Sequence, residues 1–304
     1  GCRNCYAERF AARFSKPGQP FEGFAKVVAP RDALDRVGGR RNGWTGRVEM
    51  IPEKLTEPLR WRKPCRVFVN SMSDLFHEGL PFDAIDRIFA VMALAPQHTF
   101  QVLTKRPDRM LQFMIGHRLC YEDFLSVASK FVGPDCDVDG VLDGAWGRYH
   151  DGLPNLRLGV SVEDQPSADD RLPHLLATPA AKRFVSYEPA LGPVDFRPWL
   201  DPHGCTGHSM TGDGSDLQSC DGCVPYLDWL IVGGESGPGA RPCDVAWIRS
   251  AIQQGKAAGV AVFVKQLGAR PYECFGNGAC DALGDDPGRC RARGGQCTLE
   301  LSSR

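Results

Sequence analysis

The run Arg66-Val67-Phe68-Val69-Asn70 indicates the fold of this chain. Its β-branched and aromatic residues favour a strand, and its continuous apolar centre is typical of a strand buried on both faces of a parallel sheet. Polar residues follow, and the next segment, Pro81–Leu94, has a helical apolar face. That face consists of Phe82, Ile85, Phe89 and Met92. A strand, a polar turn and an amphipathic helix in this order predict one β-α unit of a parallel sheet.

The same pattern recurs along the chain. The segments that we predict to be strands are Gly46–Ile51, Arg66–Asn70, Thr99–Leu103, Leu156–Val162, Lys182–Ser186, Leu227–Val232 and Val260–Val264. The predicted helices are Tyr6–Phe14, Pro52–Trp61, Pro81–Leu94, Pro107 to about Phe131 (with a break at Gly116 left open), Ser167–Ala177 and Asp244–Ala258. With one further strand expected upstream of residue 1, the alternation indicates an α/β fold of parallel strands, either a (β/α)8 TIM-like barrel or a partial barrel.

A doubly wound open sheet is the alternative to the barrel. The first strand is not followed by G-x-G-x-x-G, which counts against a dinucleotide-binding sheet. We predict a single barrel domain over residues 1–268, with insertions at 136–153 and 203–224. A loop is expected between Pro17 and Gly43. Residues 269–304 are a tail rich in Cys and Gly, for which we expect irregular structure.

Composition and charge exclude several classes of protein. The formal net charge is −1, so no global basic field favours nucleic-acid binding, although a local basic cleft is compatible with this value. No apolar run approaches the roughly 18–20 residues that cross a bilayer, and no segment is typical of a signal peptide. We therefore expect a cytoplasmic protein without membrane contact. Because the chain begins at Gly1 rather than Met, we expect a fragment or a processed form.

Charged residues follow most of the predicted strands. Chemistry in barrels sits at the carboxyl ends of the strands, so these residues are the catalytic candidates. They are Asp74, His77, Lys105, Arg106, Glu163, Glu188 and Lys265. Each one alone is more typical of a turn or a helix cap. Together on one rim they predict a site of mixed charge, suited to a zwitterionic ligand and a phosphate or carboxylate substrate.

The turn Gly233-Gly234-Glu235-Ser236-Gly237 is the most specific of these strand ends. Glycine lets the backbone approach a ligand closely, and the glutamate could accept hydrogen bonds from an amine. A tight turn with a solvated glutamate is an equally good interpretation. Lys105 and Arg106 could bind phosphate, or could be a solvated pair at a helix start. His77 could be a general acid or base, or a surface histidine.

Nine of the thirteen cysteines fall into groups, a pattern more typical of metal ligation in a reducing compartment than of disulfides, and the other four are isolated. Cys2 and Cys5 form a Cys-x-x-Cys chelate, with a redox dithiol as the alternative. Cys205, Cys220 and Cys223, with His203 or His208, predict a zinc site in the second insertion. The tail cysteines could bind another zinc or be free thiols.

Several motifs resemble a phage- and prophage-associated family of uncharacterised proteins with a three-cysteine motif near the N-terminus. The resemblance covers nearly the whole chain. It rests on the segments Gly1–Arg9, Val67–His77, Val102–Pro107, Leu158–Glu163, Ser186–Pro193, Val232–Gly237 and Val264–Gln266.

That family looks like radical S-adenosylmethionine enzymes. The resemblance implies that Cys2 and Cys5 are the second and third ligands of a [4Fe–4S] cluster, with the first ligand upstream of residue 1. The cluster would bind S-adenosylmethionine and cleave it reductively to a 5′-deoxyadenosyl radical. Gly233, Gly234 and Glu235 are similar to a glycine–glycine–glutamate contact to the methionyl amine. In those enzymes that motif follows an early strand, whereas here it follows a late one.

The expected function is therefore an iron–sulfur enzyme acting on a small molecule or nucleotide. Nucleic acid is an expected substrate only because the family that the chain resembles is associated with phages. The net charge of the chain does not support nucleic-acid binding. The first alternative is a zinc-stabilised, non-catalytic barrel that binds nucleic acid or protein. The second is a metal-dependent hydrolase or lyase, which lacks an H-x-H or H-E-x-x-H pair.

Overall fold

The computed structural model describes residues 6–28, 41–119, 121–132, 137–138, 140, 152–200, 226–237 and 239–273. The strands within these ranges are β1 (Ala25–Val28), β2 (Arg41–Trp44), β3 (Arg66–Val69), β4 (Thr99–Thr104), β5 (Leu156–Val162), β6 (Lys182–Tyr187), β7 (Trp229–Gly233), β8 (Cys243–Asp244), β9 (Ala261–Gln266) and β10 (Pro271–Tyr272). The helices are α1 (Tyr6–Arg13), α2 (Pro52–Leu55), α3 (Glu57–Arg60), α4 (Phe82–Ala93), α5 (Pro107–Leu119), α6 (Tyr121–Ser129), α7 (Gln165–Ala177), α8 (Arg197–Leu200) and α9 (Val245–Ala257).

Six of the strands form one parallel sheet, in the order β3-β4-β5-β6-β7-β9. Helices separate consecutive strands of this sheet along the chain, as parallel pairing requires. The α/β class and the parallel strands are thus confirmed. Six strands among the described residues are consistent with a partial TIM-like fold, the smaller of the two barrels that we predicted.

The chain divides into two units. Unit 1 contains residues 1–159 and 178–182, and unit 2 contains residues 160–177 and 183–304. The candidate residues are distributed over both units, so each unit is described by itself.

The core of unit 1 is built on the apolar face of α4, as predicted. Ile85, Phe89 and Met92 are almost completely buried. The ring of Phe113 from α5 lies 4.9 Å from that of Phe89 and 5.5 Å from that of Phe82. Burial of each such side chain stabilises the fold by about 1.5–3 kcal/mol. This helix face therefore packs α4 against α5.

In unit 2, α9 packs closely on the sheet. Its N-cap is Asp244, which accepts a hydrogen bond from the Ala246 amide, as Asp at this position does. Gly255 faces the strands, and a Cβ added there would lie 2.3 Å from Val262 Cγ2. The pairing of β9 with β7 is irregular at Lys265: Val264 pairs with Val232 and Gln266 with Gly233, so Lys265 is an extra residue on β9.

Three expectations for the N-terminal half are wrong. Gly46–Ile51 forms no strand, because it is largely exposed and has no partner strand in the described ranges. The loop expected between Pro17 and Gly43 contains β1 and part of the antiparallel partner strand β2. The single helix expected over Pro52–Trp61 is two short helices, because Pro58 has no amide hydrogen to continue the first one.

The helix expected from Pro107 to about Phe131 is present as α5 and α6. Gly116 does not break it, since α5 continues through Gly116 to Leu119. The two-residue strands β8 and β10, which pair in parallel, were not predicted, and two residues are too few to give a sequence pattern.

No helix in the described ranges is both long enough and apolar enough to cross a bilayer.

Candidate functional site

In unit 1, Asp74 connects the loop after β3 to the loop after β4. Its Oδ1 accepts hydrogen bonds from the Phe76 amide (3.0 Å) and the Thr104 hydroxyl (2.7 Å). Its Oδ2 accepts from the Lys105 amide (3.1 Å) and from Arg106 Nη1 (3.0 Å). A carboxylate has about four acceptor positions, so Asp74 is saturated by the protein. It therefore holds the two strand ends together.

A backbone turn after β3 positions the Asp74 carboxylate. Asn70 ends β3 with φ 60, a left-handed conformation that Asn tolerates better than most residues. The His77 amide donates to the Asp74 carbonyl at 3.1 Å, so one backbone turn joins these two residues.

Arg106 neutralises two carboxylates of this cluster. Its Nη1 binds Asp74, and its Nε donates to Glu78 Oε1 at 2.6 Å. The hydrogen bond from Arg106 lowers the pKa of the exposed Glu78 to about 2. His77 lies beside them, with Nδ1 accepting the Gly79 amide at 3.0 Å and lying 3.7 Å from Glu78 Oε2. The predicted residues Asp74, His77 and Arg106 thus lie in one charged cluster with Glu78, to which Lys105 contributes its backbone amide.

In unit 2, Glu163 follows β5 and pairs within its own β-α unit. Its Oε2 accepts from Arg171 Nη1 at 2.9 Å, and the same nitrogen donates to the Ser161 carbonyl at 2.7 Å. Both side chains are mostly buried. The Glu163 amide donates to Ser167 Oγ near the start of α7. These contacts give Glu163 a role in fixing α7 against β5.

A second carboxylate of unit 2, Glu188, lies at the carboxyl ends of three neighbouring strands. It directly follows β6, and its Oε2 accepts from Lys265 Nζ at 2.8 Å. Its Oε1 accepts from Gln266 Nε2 at 2.9 Å. Gly233 is the last residue of β7, the strand between β6 and β9. A Cβ added at Gly233 would lie 3.5 Å from Glu188 Cδ. The parallel pairing of β6, β7 and β9 therefore brings Glu188, Gly233 and Lys265 together.

The two charges of this cluster differ in exposure. The Glu188 side chain is 14% exposed and the Lys265 side chain 56% exposed. Phe263, two residues before Lys265 along the chain, is 52% exposed. The cluster thus presents an ammonium group that is oriented by a mostly buried carboxylate.

Glu235 in the glycine-rich turn is paired inside unit 2. Its Oε1 accepts from Arg241 Nη2 at 2.8 Å, and its Oε2 accepts from Arg241 Nε at 3.0 Å and from the Arg241 amide at 2.8 Å. The Glu235 side chain is only 7% exposed. Such a two-pronged pair is among the stronger charge-assisted contacts, so Glu235 and Arg241 lock the turn after β7.

Gly234 is required by close packing of the backbone. A Cβ at this position would lie 2.3 Å from the Leu267 carbonyl oxygen. We expect Gly234→Ala to destabilise the protein by about 1–3 kcal/mol, the usual cost of overpacking. Denaturant unfolding measures this free energy.

Gly116→Ala is the matched control for that substitution. Gly116 is exposed in the interior of α5, and a Cβ there would meet nothing within 4 Å. Because Ala is the better helix former, we expect this variant to gain about 0.5–1 kcal/mol. A Gly234→Ala variant as stable as the parent protein would contradict the packing explanation.

The predicted metal ligands Cys2, Cys5, Cys205, Cys220 and Cys223 lie outside the described residues, as do His203 and His208. In the part of the chain that the structure describes, no group of three or more His, Cys, Asp or Glu residues could hold a metal ion. The described cysteines Cys65 and Cys243 are free thiols. Burial and the neighbouring Asp244 raise the pKa of Cys243 to about 11, which favours the protonated thiol at neutral pH.

Sequence reasoning missed the cationic and amide partners of the predicted carboxylates. Gln266 could have been found, because it follows Lys265 at the end of a predicted strand. Arg171 and Arg241 gave no such signal, since Arg171 is inside α7 and Arg241 is in a turn. Thr104 ends β4 and is 2% exposed, so a hydroxyl there required a partner.

Comparison with known proteins gives one family. The family described as "Protein of unknown function (DUF5131)" matches residues 1–284. No curated protein matches this chain. No solved structure matches it either.

Proposed function

The chain belongs to the DUF5131 family, and we propose that it is an iron–sulfur enzyme of the radical S-adenosylmethionine type. The observation that supports a ligand site is the Glu188–Lys265 pair at the carboxyl ends of β6 and β9. The motifs of the sequence supply the reaction type. The phage context that they imply stays a prediction.

The Glu188–Lys265 pair matches the charges of an amino-acid group. S-adenosylmethionine ends in an ammonium and a carboxylate, which are complementary to a carboxylate and an ammonium side by side. The two side chains are 2.8 Å apart, so one zwitterionic group could contact both. We assign the ligand's carboxylate to Lys265 Nζ and its ammonium to Glu188.

Neighbouring residues prepare this site. Gln266 fixes the rotation of the Glu188 carboxylate by donating to its Oε1. Gly233 keeps the space beside Glu188 clear, because any side chain there would come close to that carboxylate. Glu235 fits the methionyl amine less well than Glu188, since it accepts three hydrogen bonds from Arg241 and is 7% exposed, whereas Glu188 accepts two and is 14% exposed. We therefore assign the contact to the methionyl amine to Glu188 rather than to Glu235.

The proposed cluster would use Cys2 and Cys5. When bound, the cluster and S-adenosylmethionine supply a carbon-centred radical, chemistry that belongs to the cofactors. The role of this chain is to orient the amino-acid end of the cofactor. In unit 1, Arg106 forms ion pairs with Asp74 and Glu78. Its guanidinium group is also partly exposed.

Anaerobic reconstitution with iron and sulfide tests the iron–sulfur assignment. We expect the full-length protein to take up about four iron and four sulfide and to turn brown. Cys5→Ser should lose the colour, because it removes a ligand. Cys65→Ser is the control, since Cys65 is exposed and is not in the Cys-x-x-Cys motif.

The outcome that would contradict the assignment is also specific. A colourless protein that contains zinc, in the parent and in Cys5→Ser alike, would exclude the cluster. It would favour the non-catalytic, zinc-stabilised barrel instead.

A further inference from the structure

The segment Arg60–Arg66 is the most basic short stretch of unit 1. It reads Arg60-Trp61-Arg62-Lys63-Pro64-Cys65-Arg66 and contains four cations and no acid. The net charge of the whole chain is −1, so this concentration of positive charge is local. We call this segment the basic loop.

The basic loop is open to solvent along its length. All seven residues are exposed, and Trp61 is 37% exposed. None of its four cations forms an ion pair with a carboxylate of the described residues. The side chain of Arg60 reaches only the Thr56 hydroxyl, at 3.5 Å. Its positive charges are therefore available to an outside anion.

A buried histidine holds the basic loop in place. His98 is 1% exposed, and its Nδ1 accepts the Cys65 amide at 3.1 Å. A neutral ring that accepts at Nδ1 carries its proton on Nε2, which lies 3.1 Å from the Pro58 carbonyl and can donate to it. The Trp61 ring packs edge-on against the same imidazole, with centroids 5.6 Å apart. One side chain thus contacts the loop at Cys65 and at Trp61, and also the short helix that precedes it at Pro58.

We propose that the basic loop binds the phosphodiester backbone of a nucleic acid. Three of its cations are arginines, whose guanidinium groups match phosphate geometry. Trp61 gives an exposed ring on which a base can stack, and this favours a single strand. A membrane surface fits less well, because the loop has one large apolar side chain and only a four-residue helix before it. This inference goes beyond the proposed function and does not rest on it.

The basic loop and Asp74 lie at opposite ends of β3. The loop precedes and enters β3 at its amino end, whereas Asp74 follows the carboxyl end of the same strand. Phosphate contacts orient a nucleic acid without reading its sequence. We therefore expect affinity that depends on salt and little on base sequence.

Fluorescence anisotropy with a labelled single strand of roughly 16 nucleotides tests the proposal. If all four cations contact phosphates, log K should fall with log salt concentration with a slope near −3 (about −0.7 per contact). The double variant Arg62→Ala/Lys63→Ala should reduce the slope by about 1.4 and weaken binding at low salt. Circular dichroism checks that the variant is folded, as expected for exposed side chains.

The matched control is Lys256→Ala/Arg270→Ala, which removes two exposed cations of unit 2. It should leave both the affinity and the slope unchanged. Trp61→Leu, which keeps an apolar side chain against His98, should weaken single-strand binding by about 5- to 150-fold. That loss should be absent with a duplex of the same sequence.

Three results would overturn the proposal. The first is an affinity that does not change with salt. The second is an equal loss in the loop variant and in the unit 2 control. The third is binding to vesicles of phosphatidylserine and phosphatidylcholine without binding to the oligonucleotide.

Discussion

Replacing Glu188 by glutamine is expected to weaken binding of S-adenosylmethionine by about 10- to 150-fold. This range corresponds to the loss of a hydrogen bond between charged groups, about 1.5–3 kcal/mol. Glutamine keeps the shape of the side chain but offers no negative charge to the ligand's ammonium. It also leaves Lys265 without its carboxylate partner.

Isothermal titration calorimetry on iron-free protein measures this loss without any contribution from a cluster. Asp195→Asn is the matched control, because Asp195 is a carboxylate of the same unit that pairs with the exposed Arg197. We expect the control to bind like the parent protein. An equal loss in both variants would mean that the effect is general electrostatics rather than recognition at Glu188.

Arg241→Ala is expected to destabilise the protein by about 3–5 kcal/mol, because it leaves the buried Glu235 carboxylate without its cation. The substitution removes two side-chain hydrogen bonds to that carboxylate. Urea unfolding followed by tryptophan fluorescence measures the change in free energy.

The reverse substitution gives an internal control. The Arg241 side chain is 31% exposed and that of Glu235 is 7% exposed. In Glu235→Ala the guanidinium can turn toward water, so this variant should lose less stability than Arg241→Ala. The double variant should lose less than the sum of the two single variants. Equal and additive losses would contradict the view that the pair locks the turn after β7.

The strands of the parallel sheet could be predicted well because they are short apolar runs bounded by polar turns. Leu156–Val162 has the predicted bounds. The prediction of a strand over Gly46–Ile51 was wrong. A strand needs a partner strand, and the local sequence pattern does not show whether one is present. The prediction of a single helix over Pro52–Trp61 was wrong because of one residue. It gave more weight to the helix start at Pro52 than to Pro58, which interrupts the segment.

The candidate site could be predicted only in part. The rule that chemistry follows strands located Asp74, Arg106, Glu188 and Lys265, each of which has a charged partner nearby. It could not show that Asp74 is saturated by four donors, because three of them come from Thr104, Lys105 and Arg106, which are distant in the sequence. The Glu188–Lys265 pair depends on the order of β6, β7 and β9 in the sheet, and that order is a tertiary property.

The most direct test of the proposed site compares two ligands on the iron-free protein. S-adenosylhomocysteine carries the amino-acid group on a neutral thioether, and methylthioadenosine is a thioether of the same nucleoside without that group. If Glu188 and Lys265 hold the ammonium and the carboxylate, S-adenosylhomocysteine should bind more tightly by at least about 10-fold. Equal affinities for the two ligands would contradict the account.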